Sequence, residues 1–193
     1  MPTILTHPAV PLAMAWSLGR GVISKRLLAA GVVASMIPDL DVAAFRLGIP
    51  YAAQFGHRGF THSLLFAFLL ALLAIALTRH LRSTPTKLFL FLFIALASHG
   101  LLDTFTNGGL GIALLWPFSD ARFFAPFRPI QVSPIGLSHA LSPYGLAVLR
   151  SELVWVWLPC FIAAAFAIAL RRVCAVSPSV VISVADKHTD QRP

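Results

Sequence analysis

Two stretches decide the fold: Leu64 to Leu77, LLFAFLLALLAIAL, and Leu88 to Leu102, LFLFLFIALASHGLL. Once flanking residues are counted, each approaches the roughly 17 to 25 apolar residues that a membrane-crossing helix needs. The short link around Leu81 to Thr86 folds them into an antiparallel pair. Leu153 to Leu170 is a third run of this kind, whereas Pro8 to Leu18 and Leu27 to Ile37 are too short to cross upright and read as re-entrant or interfacial helices. The sequence thus predicts an all-α integral membrane helical bundle of about five membrane segments. Residues 1–176 form one membrane-embedded domain, and residues 177–193 read as a polar, frayed tail.

Composition points the same way. Of 193 residues, 58% are hydrophobic and 11% charged, against roughly 25% charged in a soluble domain. The net charge of +8 would suit nucleic acid, but no basic helix face interleaved with aromatics accompanies it, so the expected partner is membrane lipid and not nucleic acid. Basic residues in short loops mark the cytoplasmic side of a membrane protein. Here they form three clusters: Arg20, Lys25 and Arg26; Arg79, Arg82 and Lys87; Arg171 and Arg172. Five crossings place all three inside. The N-terminus, the 38–60 connection and the 103–152 connection then lie outside, with Arg122, Arg128 and Arg150 running against the rule. Cys160 and Cys174 are about four turns apart on one helix and cannot bridge. No basic flank precedes the first apolar run, so that segment is expected to stay in the mature protein.

An acid at mid-bilayer costs about 2.5 to 3.5 kcal/mol on insertion scales, so acids beside apolar runs call for a reason. Asp39 and Asp41 close the second run, and Asp103 closes the fourth. Histidines are placed similarly at positions 7, 57, 62 and 99, and the predicted topology sets all seven residues at the outer face. His99 and Asp103, four apart, share one helix face about 6 Å of rise apart. Counting back from the hairpin link sets His62 nearly level with Asp103. His57 joins them only through a turn, for which Gly59 is available, with Thr61 as the helix N-cap. His80 and His188 read as solvated; His139 lies on the outer side with no spacing that requires it in the site.

Mixed histidine and carboxylate donors suit a divalent metal, expected to be zinc or else manganese, as one or two ions. The expected ligands are His7, Asp39, His57, His62, His99 and Asp103, with Asp41 bridging or orienting a ligand. Asp41 and Asp103 are the expected catalytic carboxylates. Arg58 and Arg122 are candidates to hold a phosphate, which guanidinium pairs bidentately.

Several of these motifs together are distinctive: Pro38-Asp39-Leu40-Asp41, His57-Arg58-Gly59-Phe60-Thr61-His62-Ser63, Ser98-His99-Gly100-Leu101-Leu102-Asp103 and Trp116-Pro117-Phe118-Ser119, with His7 ahead of them. Over about residues 1 to 140 they resemble the bacterial LexA-regulated inner-membrane family of metal-dependent hydrolases. The resemblance implies an inner-membrane location and metal-dependent hydrolysis. A fainter similarity, in the order His, Asp, His, then His-x-x-x-Asp, reaches the helical zinc phospholipase C and nuclease P1 type enzymes, which cleave phosphate esters. This chain departs from them in starting at Met1 and in having no second His-x-x-x-Asp/Glu pair after Asp103, which puts a three-zinc cluster in doubt. The reading from sequence is a membrane-bound metal-dependent hydrolase acting on a small-molecule or lipid substrate, plausibly a phosphate ester. Its rival is a non-enzymatic metal-binding or ion-translocating membrane protein, which would want polar groups spaced along the helices rather than gathered at one end.

Overall fold

The computed structural model describes residues 2–133 and 142–189, with side chains followed to residue 174. Among them the regular elements are all helical. Helix α1 (Ala9–Leu18) follows Pro8. Ser24 caps α2 (Lys25–Ala34) by accepting the Leu27 N–H. A 3-10 turn (Ile37–Val42), opened by Pro38, and the short α3 (Ala43–Arg46) then carry the chain on. Helix α4 (Leu64–Leu73) is prolonged by a 3-10 turn to Leu77, and Thr84 with Pro85 starts α5 (Pro85–Thr104). Ser142 and Pro143 start α6 (Pro143–Glu152), which passes through one π-helical turn (Leu153–Trp157) into α7 (Leu158–Thr189).

Three helical stretches are long and apolar enough to cross a membrane: Lys25–Arg46, Pro85–Thr104 and Pro143–Cys174. Ala9–Leu18 and Leu64–Leu77 are shorter. The expected bundle of five segments is present, with three differences in extent. The second run is lengthened by the turn and α3, because Pro38 is accommodated at the start of a new turn, where its missing N–H costs nothing. The last helix starts ten residues earlier than the apolar run, at a Ser-Pro cap that lies in polar sequence. It also continues to Thr189 through the stretch expected to fray, and no glycine follows Gly145 to end it.

Helix α5 packs against both α4 and α2, and α1 packs against α7. The main core is Leu27 and Ala34 of α2, Ala67 and Ala71 of α4, and Leu88, Phe91, Leu92 and Leu96 of α5. The two alanines, one turn apart, give α5 a shallow face to approach, as small residues do between helices in lipid. Leu69, Leu73, Ile162, Phe166 and Leu170 point outward, which hydrocarbon permits.

Because successive helices alternate in direction, the bundle has two unlike ends. At one, the Ser24 hydroxyl donates to the Leu81 carbonyl (2.5 Å) and Arg26 to that of His80 (3.0 Å). Arg171 donates to the Leu18 (3.0 Å) and Trp16 (3.3 Å) carbonyls. The three basic clusters of the sequence share this end. At the other end lie the N-terminus of α1, the turn after α2, the start of α4 and the last turn of α5. Cys160 and Cys174 are both free.

Candidate metal centre

Helix α5 supplies the first two groups. His99 and Asp103, one turn apart, face inward and are wholly buried. Between them Gly100 is indispensable to the approach: a Cβ there would stand 2.4 Å from the His62 carbonyl oxygen. The α5 backbone therefore lies directly against the turn (Phe60–His62) that carries His62. The turn after α2 adds Asp39. The side chains of Asp39, His62, His99 and Asp103 each offer one ligand atom, and these atoms all lie within 4.8 Å of one another.

The histidine tautomers follow from their neighbours. His99 Nδ1 donates to the Ser35 carbonyl (2.7 Å), at the end of α2. His62 Nδ1 lies 3.2 Å from Asp41 Oδ2 and 3.0 Å from the Thr61 hydroxyl. With both Nδ1 atoms bonded to acceptors, both Nε2 atoms carry lone pairs, and these stand only 3.1 Å apart. His99 Nε2 is 3.4 Å from Asp39 Oδ1, and His62 Nε2 is 3.6 Å from Asp103 Oδ2. Ligands at about 2.0 to 2.1 Å around a tetrahedral ion stand about 3.3 Å apart, so the spacing suits one.

His7 reaches the cluster from the segment before α1. Its ring stacks on that of His99 at 3.6 Å, and its Nε2 lies 3.7 Å from Asp39 and 3.8 Å from Asp103. Burial pushes the His7 pKa down to about 3 and lowers that of His62, so both stay in the neutral form that binds metal. Both nitrogens of His7 and both carboxylate oxygens of Asp39 and of Asp103 are buried without a hydrogen-bond partner in the protein. Leaving one such group unpaired costs about 1 to 3 kcal/mol, more when it is charged.

The other residues singled out in the sequence occupy different roles. Asp41 spends its oxygens on protein donors: His57 Nδ1 (2.5 Å), the Arg58 N–H (3.1 Å) and the Thr61 hydroxyl (2.7 Å). It orients His62 rather than facing the cluster, and it holds His57 on its far side, so His57 stands outside the group of four. The turn ends at Ser63, whose hydroxyl caps α4 by accepting the Phe66 N–H, and Thr61 is not the cap. Gly59 is required for a close approach, since a Cβ there would lie 2.0 Å from the Gln54 carbonyl oxygen.

Neither arginine is free for a phosphate. Arg58 is fully buried; it donates to the Gly108 and Leu110 carbonyls and the Thr106 hydroxyl, all at 2.9 Å, with Nε 3.3 Å from Asp103 Oδ2. These bonds hold it at φ +63°, a backbone conformation that costs about 1 to 2 kcal/mol. Arg122 donates to the carbonyls of residues 51, 52, 53, 57, 58 and 111. The two guanidiniums pin the 106–124 loop to the 51–58 turn. His139 lies outside the described residues.

One residue passed over in the sequence builds the site from a distance. Glu152, the only glutamate of the chain, is buried at the end of α6. It accepts from the Thr3 backbone N–H, the Thr3 hydroxyl (2.7 Å) and the Thr6 hydroxyl (2.7 Å). It thereby fixes the turn that leads into His7. The signal that marked Asp103, an acid abutting an apolar run, was present here too.

A helical membrane protein with a buried histidine and aspartate cluster at one end of its bundle is the class these observations define. The chain belongs to the YdjM inner membrane protein family, whose model matches residues 1–174. It is 52% identical over 160 residues to the inner membrane protein YbcI of Escherichia coli (strain K12), covering 82% of this chain and 92% of that one. To the inner membrane protein YdjM of the same organism it is 35% identical over 103 residues, 47% of this chain and 49% of that one. No solved structure matches. These names carry the inner membrane, and neither the hydrolysis nor the LexA control that the resemblance implied.

Proposed function

We propose that the protein is a membrane-bound metal-dependent hydrolase whose centre is Asp39, His62, His99 and Asp103, with His7 beside them. The observation that carries the reading is that the carboxylate oxygens of Asp39 and Asp103, buried without a hydrogen-bond partner in the protein, face the Nε2 atoms of His62 and His99, which stand 3.1 Å apart. Arg58 balances the charge of one of the two acids; a cation would balance the other and give these buried atoms a partner. Ser35 and Asp41 hold the two histidines at Nδ1 and so keep Nε2 turned inward, the usual arrangement behind a metal ligand. When bound, a divalent ion such as zinc lowers the pKa of its water to about 7 and supplies a nucleophile at neutral pH.

The substrate class follows from place and charge: a phosphate ester such as a lipid head group, reached at the end of the bundle away from the basic clusters, which is the outer face under the positive-inside rule. Clustering of the polar groups at one end favours this reading over an ion path, whose polar groups would be spread along the helices.

The test uses detergent-purified full-length protein. Chelation is expected to abolish hydrolysis of a phospholipid or a chromogenic phosphodiester, and zinc or manganese to restore it. Stoichiometric metal with no hydrolysis across lipid, nucleotide and peptide substrates, together with cation movement across liposomes, would replace this reading with translocation. Cysteines introduced at Arg82 and Gly109 are expected to label from opposite sides of the membrane.

A further inference from the structure

We infer that this centre takes two divalent cations, with His7 heading a second site that shares both Asp39 and Asp103 with the first. The inference rests on the metal-dependent reading above and adds to it a second ion and a charge requirement on the substrate.

The rings decide it. His7 and His99 are stacked, with centroids 3.6 Å apart and planes only 16° from parallel. An imidazole binds a metal along its in-plane lone pair, so an ion in the plane of His99 lies well out of the plane of His7. One ion cannot serve both, yet His7 Nε2 is buried without a partner and points at the same two carboxylates.

The carboxylates divide in the same way. Asp39 turns Oδ1 to His99 (3.4 Å) and His62 (3.9 Å), and Oδ2 to His7 (3.7 Å). Asp103 turns Oδ2 to His62 (3.6 Å) and Oδ1 to His7 (3.8 Å). Each acid thus offers one oxygen to the His62 and His99 pair and the other to His7, which is what a bridging carboxylate does. The ring spacing sets the two positions apart by a distance close to the roughly 3.5 to 4 Å of two-metal hydrolytic sites.

The charge then selects the substrate. Two divalent ions against two carboxylates and neutral histidines leave a cationic centre, with Arg58 adding to it beside Asp103. In a buried setting that charge demands an anionic ligand, and a phosphate ester can place oxygens on both ions, whereas a neutral amide or glycoside leaves the charge unbalanced. The ions thus take the phosphate-holding role that Arg58 and Arg122 do not have.

Full-length protein loaded with excess Mn2+ and freed of unbound metal is expected to carry two ions per chain and to show the electron paramagnetic resonance spectrum of a spin-coupled pair. His7→Ala is expected to carry one ion and an uncoupled spectrum. Inorganic phosphate is expected to bind the wild type at least tenfold more tightly than His7→Ala. One uncoupled ion in the wild type overturns the inference and leaves the single-metal reading standing; two ions retained in His7→Ala overturn it by removing His7 from the second site. No bound metal in the wild type overturns both. The coupling signal is read on unaltered protein, so a folding defect in the variant does not blunt the test.

Discussion

The two ends of this bundle solve opposite problems. At the basic end, spare helix carbonyls meet arginines that remain exposed, as Arg26 and Arg171 do, and water can take over whatever they release. At the other end, the polar groups are sealed in: His7, His99 and Asp103 are 0% exposed, and several of the atoms there have no hydrogen-bond partner in the protein. Polar side chains are therefore interchangeable at one end and hard to replace at the other, since pairing matters in proportion to how little solvent is available as a substitute.

Substitutions should separate the ends by size of effect. The largest is expected from His99→Ala or Asp103→Ala: metal affinity falls by more than about 100-fold, beyond what losing an orienting neighbour costs, and hydrolysis goes with it while the protein still inserts. Metal analysis beside an activity assay checks this. Next comes Arg58→Ala, which strips a fully buried cation from Asp103 and three acceptors. Breaking a buried pair costs about 3 to 5 kcal/mol, so thermal unfolding in detergent should drop well below the wild type, with or without metal. If Arg58 instead held substrate, stability would stand and only the Michaelis constant would rise.

Glu152→Ala is expected to cost about 1 to 3 kcal/mol by orphaning the Thr3 and Thr6 donors. Its metal loss should fall selectively on the ion assigned to His7, leaving the other in place. Equal loss of both ions would show that the end of α6 supports the whole centre and not His7 alone. The smallest effect is expected from Arg171→Ala: within about 0.5 kcal/mol, as for exposed positions generally, and no change in metal content. A large effect there would erase the contrast between the ends.

Much of the cluster was legible because its residues obey simple spacings. His99 and Asp103 are one helical turn apart, and the hairpin count alone brought His62 level with them. The arginines were misread for a physical reason: their partners are backbone carbonyls of residues 51–58 and 106–111, and a carbonyl is offered by every residue, so nothing in the side-chain sequence marks which ones converge. His57 and Asp41 were placed in the right neighbourhood but one layer too far in, since a turn of irregular backbone sets their depth. Among the helices, the apolar runs were visible, but the start of the last one rests on the Ser142-Pro143 cap, outside the hydrophobic pattern that located the rest. Glu152 went unnoticed because its partners, Thr3 and Thr6, are separated from it by most of the chain.

The clustered residues at positions 7, 39, 62, 99 and 103 come from four separate segments, with two of the five on α5. While the chain is being made, His7 and Asp39 enter the bilayer long before their companions exist, and the centre cannot close until α5 has been threaded in and packed beside α2 and α4. A cation held by this cluster would therefore enter late in maturation, after insertion rather than during it. Once the helices have shut, departure of such a cation would require them to part, so its residence time would be set by the breathing of the bundle and not by the strength of any single bond.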